Sequence, residues 1–403
     1  MPEILQRRTL AHRTLPTTTV VHRPEELERG RLETEEMVLN MGPQHPSTHG
    51  VLRLETVLDG EVVVDVVPHL GYLHRCFEKH AEALTYPQII PYVDRMDYLS
   101  AMSGEHSYVT AVERLMGIEV PEKVEYIRML FAELQRIASH LIAVGTFGLD
   151  VGAFTPFLYC LQDREMILEI FEKTCGARFL YNYMWVGGLS HDLHPDALGM
   201  CRAFVERSRK TLREVNDLLT LNKIFVERTG GVGVLDPEVA LNAGASGPML
   251  RACGVARDIR RTDPYSIYDR FEFDVATCST ELGVPGDSFN RHWVRMLEWE
   301  QSLRIIEQIL ETYPREDTTD VQSAIPKRLR PPVGEIYSRT ESPRGELGFY
   351  IASRGDAKPH RVKPRSPAFA NLSLLPHMVR GHLVADLIII LGSIDIVLGE
   401  VDR

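Results

Sequence analysis

Short alternating runs open the patterned part of the chain, helical periodicity fills its middle, and alternation returns towards its end. EMVLNM, from Glu36, alternates over the length of one strand, and VLRLETVL and EVVVDVV are two period-two runs joined by Asp59-Gly60. Alternation puts every second side chain on one face, and Asp-Gly between two such runs supplies the backbone a tight hairpin needs. A small antiparallel sheet over residues 35–70 is therefore expected, with the histidine-bearing loop GPQHPSTHG as its first connection. From about residue 75 to 315 helical spacing dominates. Ile127, Leu130, Phe131, Leu134, Ile137, Ala138 and Leu141 form the stripe of an amphipathic helix. A second helix around Arg164 to Lys173 stops at Gly176, and a third, Phe289 to Tyr313, stops at Pro314, as glycine and proline just past a C-terminus should make them. Between the helices, residues 229–290 are rich in Gly and Pro and read as loops with short strand-like pieces. After IPKRLRPPVGE comes a mixed α/β region, residues 330–403, where EIYSRTESPRGELGFYIAS reads as strand, turn and strand and LVADLIIILGSID as a buried helix. The pattern predicts an α+β chain with a small N-terminal antiparallel sheet, a central helical bundle and a mixed C-terminal region. Residues 1–34 are charged, carry threonines and prolines, and keep no period, so they read as an extended arm able to wrap a partner.

Composition narrows the function classes. The 403 residues are 44% hydrophobic, enough for a large core, and allow one large or two ordinary domains. Lys and Arg number 45 against 56 Asp and Glu, and a net charge of −11 argues against an electrostatic nucleic-acid binder. The six cysteines, Cys76, Cys160, Cys175, Cys201, Cys253 and Cys278, include no C-x-x-C pair of the kind that holds zinc or an iron-sulfur cluster, so free thiols in a reducing cytoplasm are expected. MPEILQRRTLAHR lacks the apolar segment of a secretory signal. The most apolar C-terminal stretch, Leu383 to Gly399, is interrupted by Asp386 and Asp395 and falls short of the roughly 20 apolar residues of a spanning helix. No membrane span is expected, and a lipophilic substrate would have to arrive through a membrane partner.

Several residues invite a chemical reading. His45, His49, His69, His74 and His80 put five of the fifteen histidines within 36 residues, which raises a metal site. His45 and His49 have the spacing of a zinc helix motif, but Pro43 and Pro46 disfavour a helix there and the glutamate of H-E-x-x-H is absent. Histidines capping turns are the plainer alternative. TGGVGV, Thr229 to Val234, lacks the Lys-Ser/Thr of a phosphate loop and the third glycine of a dinucleotide fingerprint, so it reads as a tight glycine turn and no nucleotide is expected on this chain. Tyr98, in YPQIIPYVDRMDYLSAM, is open to two roles, a satisfied core aromatic or a catalytic phenol. Asp150 sits among glycines and apolar residues in GTFGLDVGAFTPF, where a carboxylate costs several kcal/mol unless a cation or histidine partners it. Glu133, Arg136 and His140 share one helical face and form at least a polar ladder.

At GPQHPSTHGVLRL the chain resembles the D-subunit family of respiratory complex I, itself related to the nickel-iron hydrogenase large subunit. The likeness continues through RMDYLSAM, FAELQRIASHL, DVGAFTPFLY, GASGPMLRACGVARDIRR, DPYSIYDRFEFDV, SLRIIEQIL, ESPRGELGFYI, RSPAFANLSLLPHMVRGHLVADL and GEVDR, from about residue 35 to 403. It implies a hydrogenase-large-subunit-like fold, with residues 35–403 as one domain. In the hydrogenases two C-x-x-C pairs hold the metal, whereas the matching segments here, Arg95 to Ser100 and Asp395 to Glu400, contain no cysteine. A thiolate cage cannot be built from Asp97, Ser100, Val397 and Glu400, so hydrogenase chemistry is rejected and no metal is expected on this chain.

In place of the metal the resemblance implies a quinone headgroup, ubiquinone or menaquinone, as substrate. By motif, His49 and Tyr98 match the family's headgroup ligands, and imidazole and phenol can each donate a hydrogen bond and pass on a proton. Asp150 matches the carboxylate that partners the loop histidine. Arg75, in LHRCFEK, matches an arginine near the terminal [4Fe-4S] cluster of a neighbouring subunit, where positive charge would raise the cluster's potential. The implied function is a quinone-reducing subunit of a proton-translocating NADH:quinone oxidoreductase, peripheral on the cytoplasmic side of a bacterial cell membrane. Its implied partners are the cluster-bearing B subunit, the C subunit and the membrane-embedded H subunit at the quinone entrance. The alternative is a scaffold in a related ferredoxin-driven or hydrogenase-like membrane complex. Two positions depart from the family: Leu180 stands where it often has a histidine credited with coupling the cluster's potential to pH, and Trp185 where it has an arginine.

Overall fold

The alternating N-terminal runs pair as β1 (Glu36–Met41), β2 (Arg53–Asp59) and β3 (Val62–His69), an antiparallel sheet in that order. Gly60 turns the hairpin at φ 63°. Leu54, Leu58, Val63 and Val66 face the core, while Val64 and Val67 stay exposed. The far edge of β3 is met by a remote segment. The Val63 amide donates to the His382 carbonyl (2.8 Å), the Gly381 amide to the Val63 carbonyl (2.8 Å) and the Val384 amide to the Glu61 carbonyl (3.0 Å). The computed structural model describes residues 35–315 and 320–403, so the arm read over residues 1–34 lies outside the described residues.

Helices follow: α1 (Phe77–Ala83), α2 (Tyr86–Asp94), α3 (Ala101–Met116), α4 (Glu122–Asp150) and α5 (Phe154–Cys175). The stripe predicted within residues 127–141 belongs to α4, which runs 29 residues and packs against α3, α5 and further helices on both sides. It is enclosed all round, unlike a surface amphipathic helix. Its polar residues are tolerated because they are paired: Arg136 with Glu133, His140 with Glu298, and Arg128 with Glu113. Gly176 ends α5 in the left-handed conformation, φ 75°.

A two-residue ribbon of β4 (Met184–Trp185) and β5 (Gly188–Leu189) leads to α6 (Ala197–Val215) and α7 (Lys223–Thr229). The strand-like pieces expected in residues 229–290 are short helices instead, α8 (Pro237–Asn242), α9 (Pro248–Ala252) and α10 (Ile259–Thr262). Pro237 and Pro248 sit in first turns, where proline is preorganised for a helix, and Asp236 and Asp258 cap the amides that follow them. The punctuation read as strand boundaries therefore marks helix starts. Asp287 caps α11 (Ser288–Thr312), which ends two residues before Pro314.

The C-terminal region adds a second antiparallel sheet, β6 (Gly334–Ser342), β7 (Gly345–Ser353) and β8 (Arg361–Arg365), then α12 (Pro367–Leu372), α13 (Leu375–Val379), α14 (Val384–Ile394) and α15 (Leu398–Asp402). The architecture is α+β, with small antiparallel sheets flanking a helical centre. One apolar cluster takes side chains from nearly every element. Within it α14 packs against α4, α11 and α13 and reaches the turn that carries His49. No helix of the described residues is long and apolar enough to cross a membrane.

Candidate functional site

The loop after β1 makes one tight turn, Pro46–Thr48, rather than a helix. His45 is exposed and accepts from the Ser47 amide at 3.2 Å, while the Thr48 hydroxyl ties the turn to the His45 and Gly50 carbonyls. His49 follows at φ 51°, a left-handed conformation uncommon for a residue with a side chain. Its Nε2 lies 2.8 Å from Oδ2 of Asp150, the last residue of α4. The pair is largely enclosed, with 18% and 11% of the two side chains exposed. Burial acts against a charged ring, yet the hydrogen bond and charge of Asp150, with the charge of Asp395, outweigh it and hold the pKa of His49 above the ordinary 6.5. Opposite, α14 offers no side chain: a Cβ on Gly392 would stand 2.2 Å from Asp150 Oδ2.

The other histidines of the N-terminal quarter go separate ways. His69 meets Glu55 (3.1 Å), His74 bonds the Asp402 carbonyl (2.7 Å) and His80 lies against the Tyr92 ring. Among the described residues no group of three or more His, Cys, Asp or Glu is arranged to hold a metal ion. In the Thr229–Val234 segment Gly231 and Gly233 take φ 71° and 62°, a tight glycine turn whose Gly231 amide donates to Asp287. The six cysteines are unpaired.

Tyr98 lies in the turn between α2 and α3, half-buried, with its ring centroid 6.2 Å from that of Phe179. Burial pushes its phenol pKa up, Arg344 and Arg75 pull it down, and Asp97 pushes it up again. Among the described residues no hydrogen bond joins Tyr98 to the His49–Asp150 pair. Arg344, in the β6–β7 turn, stands between the two sides. It donates to Asp97 Oδ2 at 2.7 Å, to the Asp395 carbonyl and carboxylate at 3.0 and 3.2 Å, and shares Ser139 at 3.1 Å. Asp395 in turn acts on His49. Arg75 donates to the Arg95 carbonyl (2.5 Å), and its own amide donates to the Arg403 carbonyl (3.0 Å). Asp402 takes the amides of Gly71 and Leu73, holding the segment before Arg75 to α15.

The segments Arg95–Ser100 and Asp395–Glu400 are in direct contact. A Cβ on Gly399 would come 2.6 Å from the Met96 carbonyl and 3.0 Å from Arg75 Nη2, so only glycine lets the two strands of chain approach. Asp97, Ser100, Val397 and Glu400 are all buried there. Ser100 Oγ and both carboxyl oxygens of Glu400 have no hydrogen-bond partner. Burial, with the nearby Asp97 charge, pushes the Glu400 pKa up to about 8, against the pull of Arg344 and Arg365. Burial also raises the pKa of Asp97, against Arg344.

Leu180 sits at φ 61° and Asn182 at φ 46°, in a segment held from below by two buried carboxyl groups. Asp94 takes the Asn182 amide (3.0 Å), and Glu105 takes the amides of Tyr183 (3.0 Å) and Met184 (2.6 Å).

Sequence reasoning missed Arg344, Asp395 and Gly392 as members of this site. Asp395 carries the same signal as Asp150, a carboxylate in an apolar run, but enters the sequence reading as an interruption of that run and as the start of the segment matching the hydrogenase metal cage, not as a group acting on His49. Arg344 sits in a Pro-Arg-Gly turn whose position gives no hint of burial, and nothing in the sequence says that Gly392 faces Asp150.

Residues 150–403 match the family profile described as the respiratory-chain NADH dehydrogenase 49 Kd subunit. The chain is 56% identical over 373 residues to the D subunit of NADH-quinone oxidoreductase from Chlorobium chlorochromatii, covering 92% of this chain and 93% of that protein. It is 55% identical over the same length to the protein of that name from Chlorobaculum tepidum, with the same coverage. The corresponding protein of Prosthecochloris aestuarii is also 55% identical over 373 residues.

Proposed function

This chain belongs to the family of the respiratory-chain NADH dehydrogenase 49 kDa subunit, and from that premise we propose that it binds and reduces quinone within a proton-translocating NADH:quinone oxidoreductase. The observation that carries the reading is the His49–Asp150 pair at 2.8 Å, in which a largely enclosed carboxylate raises the pKa of an imidazole above its ordinary value. A charged imidazole donates a strong hydrogen bond to a carbonyl oxygen and has a proton to give as that oxygen gains electrons. Tyr98 serves the second oxygen: its phenol, made a weaker acid by burial, stays protonated and available as a donor. Arg344 fixes Asp97 and Asp395 between the two donors, so that reduction occurs beside a preorganised charge array.

The finer assignments follow the same reading. The fold is that of the nickel-iron hydrogenase large subunit, with the contact of the 95–100 and 395–400 segments standing where the metal cage would be. Electrons arrive from a [4Fe-4S] cluster in the neighbouring B subunit, near Arg75. The C subunit and the membrane-embedded H subunit are the other direct partners, and the chain sits on the cytoplasmic face of the membrane. A scaffold protein would have no use for a partly enclosed imidazole at a left-handed position whose pKa a carboxylate partner raises, which disfavours that alternative.

The test is quinone reduction by membranes carrying His49→Ala or Tyr98→Phe in the assembled complex. Each is expected to lower turnover on the order of 10²-fold, the scale of losing a positioned acid. Unchanged turnover and quinone affinity in both variants would overturn the assignment.

A further inference from the structure

The backbone on either side of Tyr98 is fixed, because Arg344 bonds the Asp97 carboxylate (2.7 Å) and Gln135 Nε2 donates to the Leu99 carbonyl (2.7 Å). Among the described residues no group bonds the Tyr98 hydroxyl itself. A phenol left free in this way can donate to a substrate oxygen, but no hydrogen bond aims it. The ring it touches is that of Phe179, with centroids 6.2 Å apart and planes at 47°, a favourable aromatic pair. Burial does not explain why Phe179 stands there, since it is 45% exposed. Next to it Leu180 takes φ 61°, and Asn182 takes φ 46°, a left-handed backbone that residues with a Cβ keep only where their surroundings impose it. The surroundings that impose it are buried charges. Asp94 and Glu105 take the amides of Asn182, Tyr183 and Met184, Glu113 takes the Gly187 amide (2.7 Å), and Arg128 donates to the Trp185 and Gly188 carbonyls (2.9 and 3.0 Å). On the other side of Phe179 the Tyr181 hydroxyl donates to the Arg178 carbonyl (3.2 Å), and the Tyr181 ring packs on Phe171. Charged groups from α2, α3 and α4 thus immobilise the segment that presents a half-exposed ring to Tyr98.

We infer that Phe179 is a positioning residue for quinone reduction, its ring the wall that aims the free hydroxyl of Tyr98 at the substrate oxygen. The inference rests on the quinone-reducing reading above and deepens it. A hydroxyl on a planar ring sweeps an arc as the ring turns about its side-chain bonds, and a second ring packed against it narrows that arc without occupying the hydroxyl. A hydrogen bond would aim the phenol equally well but would compete with the substrate for its proton. Misplacement of a donor by about 1 Å costs up to about 10²-fold in rate, so a wall with no chemistry of its own still governs turnover. Phe179 has no proton to give or take and acts through Tyr98. The left-handed turn at Leu180 is what brings the Phe179 ring to that place, which gives the strained backbone a use that core packing does not.

The experiment is a double-mutant cycle in the assembled complex: Phe179→Leu, Tyr98→Phe and the two together, with Phe179→Tyr as the conservative variant. Quinone-reductase kcat/KM is expressed per assembled complex. The expected result is a loss on the order of tenfold in Phe179→Leu and recovery in Phe179→Tyr, which restores the ring. Adding Phe179→Leu to Tyr98→Phe is expected to cost nothing further, because no hydroxyl remains to be aimed. Equal losses in both backgrounds would overturn the inference, since a ring that only stabilises its segment lowers activity whether or not Tyr98 keeps its hydroxyl. Wild-type activity in Phe179→Leu would overturn it too, and so would a complex that does not assemble without the ring, which would make Phe179 an interface residue. Normal activity in Phe179→Leu alongside crippled His49→Ala and Tyr98→Phe sinks the wall alone, whereas normal activity in the latter two sinks the quinone site itself.

Discussion

Asp150 shows how much a single position in a chain can disclose. A carboxylate among glycines and apolar residues demanded a partner, and His49, a hundred positions away, supplies it. The sequence disclosed the demand and, through family likeness, the pairing; it could not disclose that Gly392 leaves the room in which the pair forms, because a missing side chain carries no signal of what fills its place. The pair also sets a pH dependence with a definite sign. The folded pKa of His49 is raised, so the charged donor is fully present below the ordinary value of 6.5 and is lost only as pH rises through the higher folded value. Asp150→Asn removes the support while burial remains, so the alkaline limb due to His49 in the pH profile of quinone reduction moves to lower pH. Gly392→Ala, whose new methyl would overlap the Asp150 carboxylate, shifts that limb in the same direction and costs about 1–3 kcal/mol of stability through overpacking. An unmoved limb in both variants would refute the coupling.

At the scale of elements, periodicity found α4, α5, α11 and α14 because long helices repeat their signal over many turns. It misjudged how far α4 is enclosed, since Glu133, Arg136 and His140 look like a solvated face until their partners on α10 and α11 are known. The short helices of residues 229–290 were misread for the complementary reason: one turn is too short for a period, and only its caps mark it. The Asp94–Glu105 pair is another feature of elements, since α2 and α3 each bury one carboxyl group against the Asn182–Met184 amides. Burial, with the mutual proximity of the pair, raises Glu105 well above the carboxylate range, and burial lifts Asp94 to about 6 despite its bonds to Glu105 and Asn182. A raised folded pKa gives stability that is full below the unfolded value near 4 and lost as pH rises through the folded value. The α2–α3 region is therefore expected to lose hydrogen-exchange protection between pH 5 and 7 after correction for intrinsic rates, and Asp94→Asn to flatten that loss. Protection that stays constant in the wild type would contradict the raised pKa of Asp94.

Across the whole molecule, the site draws on segments from both sheets and the central helix, and no window of sequence contains it. His49 comes from the first sheet's loop, Tyr98 from between two helices, Arg344 from a hairpin turn and Asp395 from behind α14. That dispersal is why composition excluded functions but could not assemble one, and why recognition of many ordered segments located what local pattern could not. The same scale governs Leu180, whose segment carries Phe179 against Tyr98 and whose side chain cannot titrate. On the electron route proposed above, the potential of the partner's cluster is expected to vary little with pH. A redox titration of the complex giving a slope of about 60 mV per pH unit, the one-proton, one-electron value, would reject that expectation.

The clasp between β3 and residues 381–384 bears on how the chain comes to exist. Val63 and His382, which close the sheet's edge, are made more than three hundred positions apart, so the ribosome releases the first sheet long before its edge is covered. Until then the nascent hairpin presents unpaired amides and carbonyls together with exposed Val64 and Val67, a combination that invites pairing with other chains. Distant closure of this kind slows folding. Any fragment cut before residue 381 would keep that open edge for good, and would carry His49 and Asp150 without the helix that seats them.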